Sequence, residues 1–385
     1  MGIATGFQLP ASPPIGLLRA LVLLARIARL DSVLVPDHFQ GFIPRALWDR
    51  RFSWLAARYP HPHAVYDYQV LLGYLAANAG RLRLGVGVTE AKRRHPVLLA
   101  QTMLTLAHAT KRAPILGIGA GERENLEPYG LTFDEPVGVL EEALQIVRRC
   151  LEGSESIDFR GKHFRLDHAV MDLPVPRGRR PDVWVAGHGP RMLRLTGTYG
   201  DGWYPTVVGS PEEYATKLAA IRAAAAKAGR DSDAVTPALH QYVVVAPTER
   251  EARAVLETRA GRWAALLTAP PDAWRAVGAH HPFGDAFRGY VDVVPERYDR
   301  ATLERALAAV PPQLLGYGLV VGTPEQVTER LRQFARAGMR HVVLDLASAL
   351  ASPKLALYGL FVLPRIARSL AADALLHSPT GGVVC

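Results

Sequence analysis

The sequence has very little cysteine and lacks long apolar runs without charge. Its 385 residues include only two cysteines, Cys150 and Cys385, which argues against a disulfide framework and fits a reducing compartment. The apolar stretch from Ile15 to Leu30 contains three arginines, so it indicates an amphipathic helix and lacks the uncharged centre of a signal peptide. No stretch reaches the roughly 18 apolar residues that a membrane span needs. We therefore expect a cytoplasmic protein without an integral membrane segment.

The sequence also lacks a motif for binding metal or nucleic acid. The histidines of His61-Pro62-His63 and His280-His281 have no cysteine or carboxylate partners at the spacing of a closed site, so no metal is predicted. The net charge is +9, but the arginines are scattered rather than arranged in a stripe, so we expect no nucleic acid partner. An arginine-rich composition explains most of this charge, and an anionic ligand is the alternative.

Strand-like and helix-like segments alternate along almost the whole chain. Short apolar runs typical of buried parallel strands are followed by helical patterns, about eight times, with no break in composition. This order favours the α/β class, and within it a closed (β/α)8 TIM barrel rather than a doubly wound sheet. The strands are predicted at Ile3 to Leu9, Ser32 to Val35, Leu82 to Val88, Pro114 to Ile118, Val183 to Ala186, Gly202 to Val208, Tyr242 to Ala246 and His341 to Leu346.

We expect one barrel domain over residues 1–372 and a C-terminal tail over residues 373–385. Two aromatic-rich insertions, at about residues 39–67 and 263–313, interrupt the alternation. Long insertions after barrel strands often build pocket walls or lids. Covering the barrel or forming an oligomer interface explains them equally well.

Asp37 and His38 directly follow the second predicted strand. Catalytic residues gather at the carboxyl ends of the strands in a barrel, and an imidazole there can exchange a proton near neutral pH. Asp37 could bias His38, although neighbouring side chains on an extended chain point apart. The alternative is that Asp37 caps a turn and that His38 is a solvated loop residue.

Three glycine-containing segments follow or interrupt later strands. Gly119–Glu122 would let a flat ligand approach the backbone, with Glu122 at its polar edge; a tight turn and an ion pair of Glu122 with Arg123 are the alternative. Gly187–Arg191 joins a strand to a helix, where free backbone amides and the positive charge of Arg191 favour a phosphate; an ordinary tight turn is the alternative. Gly87, inside the third strand, indicates a bulge or a close backbone approach.

Taken together, these segments resemble the luciferase-like family of flavin- and deazaflavin-dependent barrel enzymes. The resemblance covers nearly the whole chain, and its most specific pieces are Asp31–Phe39, Leu116–Glu122, Gly189-Pro190, Gly200–Trp203, Gly322–Glu325 and Ala337-Gly338. Asp37-His38-Phe39 is similar to the branch that uses coenzyme F420, a deazaflavin. Within that branch, Thr89–Pro96, Gly121–Gly130 and Ala186–Arg194 resemble most the mycobacterial phthiodiolone ketoreductases, which reduce the keto group of a long-chain diol lipid.

The resemblance assigns expected roles to individual residues. His38 would lie over the reacting ring carbon with Asp37 orienting it, and Glu122 would lie near the pyrimidine end of the ring. A bulge at Val86-Gly87, often with a cis peptide, would lie under the ring. Phe42 stands where the related sugar-phosphate dehydrogenases have Trp, which argues against sugar-phosphate oxidation and makes Phe42 a candidate substrate contact. The expected coenzyme contacts are Val86, Gly87, Thr89, Gly121, Asn125, Ala186, Gly187, His188 and Gly189.

These expectations converge on a ketoreductase. A hydride from reduced coenzyme F420 would reach the keto group of a long-chain lipid, and His38 would protonate the developing alkoxide as general acid. An FMN-dependent luciferase-like monooxygenase and an F420-dependent alcohol or sugar-phosphate dehydrogenase are alternatives. A non-catalytic barrel that binds a flavin or a lipid is a third. Related barrels are often dimers, which leaves a homodimer open.

Overall fold

The computed structural model describes residues 2–153 and 156–372 of the chain. Within these ranges, the strands form one large parallel sheet and one small antiparallel hairpin. In chain order they are β1 (Ala4–Gln8), β2 (Ser32–Val35), β3 (Arg83–Thr89), β4 (Ile115–Ile118), β5 (Ile157–Arg160), β6 (Arg165–Ala169), β7 (Asp182–Val185), β8 (Gly202–Trp203), β9 (Thr236–Val245), β10 (Val320–Gly322) and β11 (His341–Leu346).

Eight of these strands close into a parallel barrel, in the order β1, β2, β3, β4, β7, β8, β9 and β11, with β11 paired to β1. Gly202 lies opposite Thr236 at the β8–β9 pair that completes the ring. β10 adds to the far end of β9, where Val320 lies opposite Val243. The closed barrel confirms the fold class predicted from the sequence.

Most of the helices surround the barrel and bury an apolar stripe against it. The helices are α1 (Ile15–Ile27), α2 (Tyr68–Ala76), α3 (Pro96–Ala109), α4 (Arg123–Leu126), α5 (Pro136–Glu152), α6 (Pro190–Tyr199), α7 (Pro211–Lys227), α8 (Glu249–Glu257), α9 (Arg259–Thr268), α10 (Pro271–Ala276), α11 (Arg300–Ala308), α12 (Pro324–Arg336) and α13 (Pro353–Ala372). Of these, α9, α10 and α11 pack within the second insertion.

Several strands differ from the prediction, which also lacks β10 (Val320–Gly322). β8 is only two residues long, and beyond Trp203 the segment keeps only an isolated bridge between Thr206 and His240 before Val207 adopts a left-handed backbone conformation. β9 begins at Thr236, well before the expected start at Tyr242. The hairpin of β5 and β6 is absent from the prediction, although the alternating burial of Ile157 and Phe159 is a strand signal.

The base of the barrel is closed by side chains. Trp184 lies inside it with its ring edge against His341, at a centroid distance of 5.0 Å. His341 Nε2 lies 2.9 Å from Ser32 Oγ. Gly202 leaves room for the indole, since a Cβ at this position would lie 2.4 Å from the Trp184 ring. A ligand therefore has to approach from the carboxyl ends of the strands.

The two aromatic insertions pack against each other and form a second apolar core. Leu47 and Phe52 of the first insertion are buried with Trp263, Trp274 and Phe287 of the second. The two segments therefore form one body beside the barrel mouth. The single-domain assignment stays a prediction, and the predicted tail, residues 373–385, lies outside the described residues.

The C-terminal helix α13 is longer and more apolar than the sequence analysis indicates. Its 20 residues are enough, by length and composition, for a helix that crosses a membrane. The helix continues through Pro364, beyond the apolar run from Leu355 to Leu363. One side of it packs on the barrel, where Leu363 and Leu370 are buried and the Ile3 amide donates to the Leu370 carbonyl. It therefore serves as a packed outer helix in this fold.

Candidate active site

His38 lies at the barrel mouth, immediately after β2, and 16% of its side chain is exposed. Its Nδ1 lies 2.9 Å from Glu124 Oε1 and 2.8 Å from Asn125 Nδ2. The Phe39 amide donates to Asn125 Oδ1 at 2.8 Å, which turns the Asn125 amide nitrogen toward the ring. Because both contacts use Nδ1, Nε2 is the ring nitrogen left for a ligand.

Glu124 is a site residue that the sequence analysis missed. It lies on the short helix α4, which brings Glu124 and Asn125 together onto His38. Its side chain is fully buried, and Oε2 has no hydrogen-bond partner among the described residues. The available signal was its position between Glu122 and Asn125, both of which the resemblance singled out. An ionised Glu124 favours a proton on His38 Nδ1. With that proton in place, Nδ1 donates to Glu124 and cannot also accept from Asn125 Nδ2.

Asp37 does not orient the His38 ring, contrary to the expectation from the sequence. Neighbouring side chains on extended backbone point apart, and the Asp37 carboxylate instead accepts hydrogen bonds from Arg94, at 2.9 and 3.0 Å, and from Thr89 Oγ1 at 2.6 Å. Arg93 approaches the same carboxylate to 3.1 Å and also bonds the Asp37 carbonyl. Burial alone would raise the pKa of Asp37, but the Arg94 hydrogen bond and the two guanidinium charges outweigh it and lower that pKa.

His38 is surrounded by carboxylates, whereas Asp37 is surrounded by guanidinium groups. Burial disfavours the imidazolium, but the hydrogen bond and the negative charge of Glu124, helped by Glu122, outweigh burial and raise the pKa of His38. Glu122 lies at the mouth, with its Oε2 3.9 Å from His38 Nδ1. Burial and then the nearby Glu124 charge raise the pKa of Glu122 well above its usual range. The carboxylates of Glu122 and Glu124 therefore both lie close to the Nδ1 atom of His38, at 3.9 and 2.9 Å.

The alternative in which Glu122 pairs with Arg123 is wrong. Arg123 forms ion pairs with Glu127 and with Asp292 of the second insertion. Its side chain therefore lies away from the site and ties α4 to that insertion. Glu122 is left to face the barrel mouth.

The predicted bulge in β3 is present. The pairing of β3 with β4 shifts register between Val86 and Thr89, and the cis peptide lies at Gly87–Val88, one residue after the expected Val86-Gly87 bond. Gln8 Nε2 donates to the Gly87 carbonyl at 3.2 Å. The Gly119 amide donates to the Thr89 carbonyl at 2.9 Å, so the bulge lies directly beside the glycine-rich turn after β4.

Two expected coenzyme contacts have protein partners for their side chains. The Thr89 hydroxyl donates to Asp37, and the Asn125 amide contacts Phe39 and His38. Both residues are buried. They brace the Asp37-His38 segment in this structure, whereas Gly121, with φ +89°, shapes the turn that leads to Glu122.

The loop from Ala186 to Gly189 leads into α6, which begins at Pro190. No side chain caps the first backbone amides of this helix. The Gly187 carbonyl accepts a hydrogen bond from Trp203 Nε1 at 2.9 Å, which fixes the loop. His188 is exposed, and its Nδ1 lies 3.5 Å from Lys217 Nζ. Lys217, on α7, is a cation that the sequence analysis missed at this loop.

Arg191 does not add its charge to this loop as expected. Its guanidinium forms an ion pair with Glu141 of α5 at 2.6 Å. A phosphate at the α6 N-terminus would therefore meet backbone amides and the Lys217 ammonium, which in this structure pairs with Glu213 at 2.5 Å.

Aromatic side chains form one wall of the mouth. The Phe42 ring contacts the His38 ring at a centroid distance of 5.0 Å and the Tyr290 ring at 4.7 Å. Tyr290 stacks on Tyr242 of β9 at 6.1 Å. Phe42 thus lies beside the imidazole as expected, and Tyr242 and Tyr290 are pocket residues that the sequence analysis did not single out.

The histidine pairs noted in the sequence have structural partners. His63 accepts from the Gly41 amide and contacts Glu296, and His281 contacts the Leu266 carbonyl. His38, Glu122 and Glu124 do offer three ligand atoms within 4.8 Å of one another. The sequence could not show this group, because His38 is far from the two glutamates along the chain.

Comparison with known proteins identifies the family. The family model described as luciferase-like monooxygenase matches residues 8–341. This chain belongs to that family. It is 38% identical over 355 residues to the phthiodiolone/phenolphthiodiolone dimycocerosates ketoreductase of Mycobacterium tuberculosis, covering 91% of this chain and 93% of that protein. The resemblance seen in the sequence is confirmed, and the chain is an oxidoreductase.

Solved structures share the barrel along nearly its whole length. An F420-dependent secondary alcohol dehydrogenase in complex with an F420-acetone adduct superposes with a TM-score of 0.72 at 19% identity, covering 96% of this chain and 99% of the other. The oxygenating constituent of 3,6-diketocamphane monooxygenase from Pseudomonas putida, in complex with FMN, superposes with a TM-score of 0.63 at 17% identity, covering 97% and 99%. At these identities the likeness establishes the fold.

Proposed function

We propose that this protein is a coenzyme F420-dependent ketoreductase that reduces a keto group on a long-chain lipid. The observation that carries the proposal is the His38–Glu124 pair. It holds a protonatable imidazole at the mouth of the barrel, beside a glycine-lined bulge in the neighbouring strand. Within the described residues its hydrogen-bond contacts are made through Nδ1, which leaves Nε2 for a ligand. The names of the mycobacterial relatives and of the alcohol dehydrogenase with its acetone adduct support chemistry at a carbonyl carbon.

The residues at the mouth fit a flat coenzyme that carries a hydrogen-bond donor. Gly119 and Gly121 carry no side chains over the turn beside the bulge, and the unpartnered Oε2 of Glu124 is an acceptor without a donor. We assign Val86, Gly87 and Gly121 to the ring, and the loop Ala186–Gly189 with Lys217 to the phosphate. When bound, the reduced coenzyme supplies the hydride, and the protein supplies position and electrostatics.

The protein's own contribution is a proton at a defined atom. Glu124 holds the Nδ1 proton of His38, so the imidazolium presents Nε2–H to the oxygen of the substrate carbonyl. The raised pKa of His38 keeps this proton available near neutral pH. The raised pKa of Glu122 favours its neutral form, which limits the negative charge in the site as the alkoxide develops.

A binding titration tests the coenzyme assignment. Purified protein is titrated with coenzyme F420, FMN and NADPH, and we expect the tightest binding for F420. Tightest binding of FMN would favour the luciferase-like monooxygenase. No binding of any of the three would favour a barrel that is not an oxidoreductase and would contradict the proposal.

The aromatic wall indicates the substrate class. Phe42 and Tyr290 beside His38 suit an alkyl chain better than a sugar phosphate, which would need convergent cations. Each buried CH₂ contributes up to about 0.8 kcal/mol. We expect kcat/KM to rise with chain length across a series of aliphatic ketones, mainly through a lower KM, since remote contacts bind ground state and transition state alike. A flat series, or efficient turnover of a sugar phosphate, would contradict the lipid substrate.

A further inference from the structure

Most exposed large apolar side chains of the described residues belong to helices on one side of the barrel. They lie on α1, α2, α3 and α13, whose order around the barrel follows from the order of β11, β1, β2 and β3. The most exposed are Ile27 of α1, at 73%, Val70 of α2, at 75%, and Leu357 and Phe361 of α13, at 70% and 81%. Largely exposed side chains of this size, gathered on neighbouring helices, mark an interaction surface.

Helices α1 and α13 combine these apolar residues with cations and contain no Asp or Glu. On α13, Lys354, Leu357, Phe361, Arg365 and Arg368 are exposed at spacings of three or four residues, which places them on one face. On α1 and just beyond its end, the exposed residues Leu23 and Ile27 accompany Arg19, Arg26 and Arg29. We call this combined surface of α1 and α13 the basic apolar face.

Much of the positive charge on this face is uncompensated. Lys354 and Arg365 pair with Glu251 and Glu325 on neighbouring helices. Arg19 and Arg26 bond the neutral Asn78 side chain and carbonyl. In the part of the chain that the structure describes, no carboxylate pairs with Arg29 or Arg368, nor with Arg19 or Arg26.

The first insertion adds cations at the mouth end of α13. Ser53 Oγ and Trp54 Nε1 donate to the carbonyls of Leu350 and Ala349, just before α13 begins. Arg50, Arg51 and Arg58 are exposed on the same insertion. Both α1 and α13 begin at the carboxyl ends of the strands they follow, so the basic apolar face runs down the barrel from the edge of the active-site mouth.

We propose that the basic apolar face docks this protein on the surface of a bilayer that contains anionic lipids. Exposed leucine, isoleucine and phenylalanine side chains enter the boundary between headgroups and acyl chains, while the flanking lysine and arginines contact lipid phosphates. Self-association through a two-fold axis would place the same uncompensated cations of two copies against each other. An anionic bilayer neutralises them.

This inference goes beyond the proposed function and does not depend on its chemistry. Docking by this face would hold the barrel mouth beside the membrane, where a lipid ketone is dissolved. Turnover of a short, water-soluble ketone without vesicles reports the carbonyl chemistry separately, so failure of one proposal is distinguishable from failure of the other.

Vesicle flotation of the full chain tests the docking surface. The probes are vesicles of phosphatidylglycerol and phosphatidylcholine in equal parts, and vesicles of phosphatidylcholine alone. We expect binding to the first and little to the second, with weaker binding as salt increases. The double variant Arg29→Gln/Arg368→Gln should bind about 25-fold more weakly, at about fivefold for each cation removed. The variant Leu357→Ser/Phe361→Ser should also lose binding.

Two matched controls lie away from the basic apolar face. Arg194→Gln removes an exposed arginine on α6, and Val170→Ser removes an exposed apolar side chain after β6; both should float like the wild type. Thermal unfolding and light scattering accompany each variant. Equal binding of wild type and face variants would overturn the proposal. The proposal would also be overturned if the wild type bound no vesicles and the face variants formed a smaller oligomer than the wild type. That result would assign the face to a second copy of this chain.

Discussion

Two buried carboxylates lie close to His38, and their surroundings differ. Asp37 accepts hydrogen bonds from two guanidinium groups and a hydroxyl, so its charge is fully compensated. Glu124 faces one imidazole, has an oxygen without a partner, and lies near Glu122. The Asp37 carboxylate, whose charge is compensated, holds the backbone in place. The Glu124 carboxylate, whose charge is not, sets the proton affinity of His38. The difference separates a structural acid from one that can take part in chemistry.

We expect substitution of His38 itself to have the largest effect on turnover. His38→Ala removes the proton donor, and turnover should fall by about 10²–10⁴-fold, the range for losing a general acid. Coenzyme affinity should stay nearly unchanged. His280→Ala, at an exposed histidine of the second insertion, is the control and should keep full activity. Wild-type turnover in His38→Ala would remove this residue from the mechanism.

Asp37→Asn should affect stability more than chemistry. Breaking a buried ion pair by removing one partner costs about 3–5 kcal/mol, which urea unfolding would measure. The lowered pKa of Asp37 means that its contribution is present above the unfolded pKa of about 3.9 and is lost as pH falls through the folded value. The difference between variant and wild type should therefore shrink in acid.

Asp67→Asn is the matched control for this variant. Asp67 pairs with the same Arg94 but is 41% exposed, so its loss should cost at most about 1 kcal/mol. An Asp37→Asn protein with wild-type stability and lost turnover would place Asp37 in the chemistry and break the comparison.

Glu124→Gln should act through His38 and have a smaller effect on rate. Hydrogen bonds to charged groups contribute about 1.5–3 kcal/mol, so turnover at neutral pH should fall by roughly 10- to 100-fold. Because Glu124 raises the pKa of His38, the wild type should stay active until pH rises through that raised value. As pH rises, the variant should lose its activity at a lower pH than the wild type does. A purely structural role would leave the pH profile of the surviving activity unchanged.

The sequence was sufficient for the barrel and for part of the site. Buried strand runs are local signals, and they predicted most of the barrel strands. His38 and Glu122 could be singled out because each follows a strand end, where barrel ligands bind, and Phe42 because the resemblance places it where related enzymes have Trp.

The partners of these residues could not be predicted from the sequence. Asp37 adjoins His38 in the chain, yet extended backbone turns the two side chains apart. Glu124 reaches His38 only because α4 folds back over the end of β2, a contact between residues far apart in the chain. The pairing of Arg191 with Glu141 and the approach of Lys217 to the α6 loop also depend on how outer helices pack. Such contacts belong to the tertiary structure.

Spectroscopic reoxidation of reduced coenzyme F420 tests the central claim most directly. The reduced coenzyme is mixed with the protein in the absence of oxygen, and a long-chain ketone is then added. The account predicts ketone-dependent return of the oxidised deazaflavin absorbance, with one alcohol formed for each coenzyme oxidised, and a much slower return with His38→Ala. No reoxidation by any ketone, with oxidation of reduced FMN by oxygen instead, would contradict it.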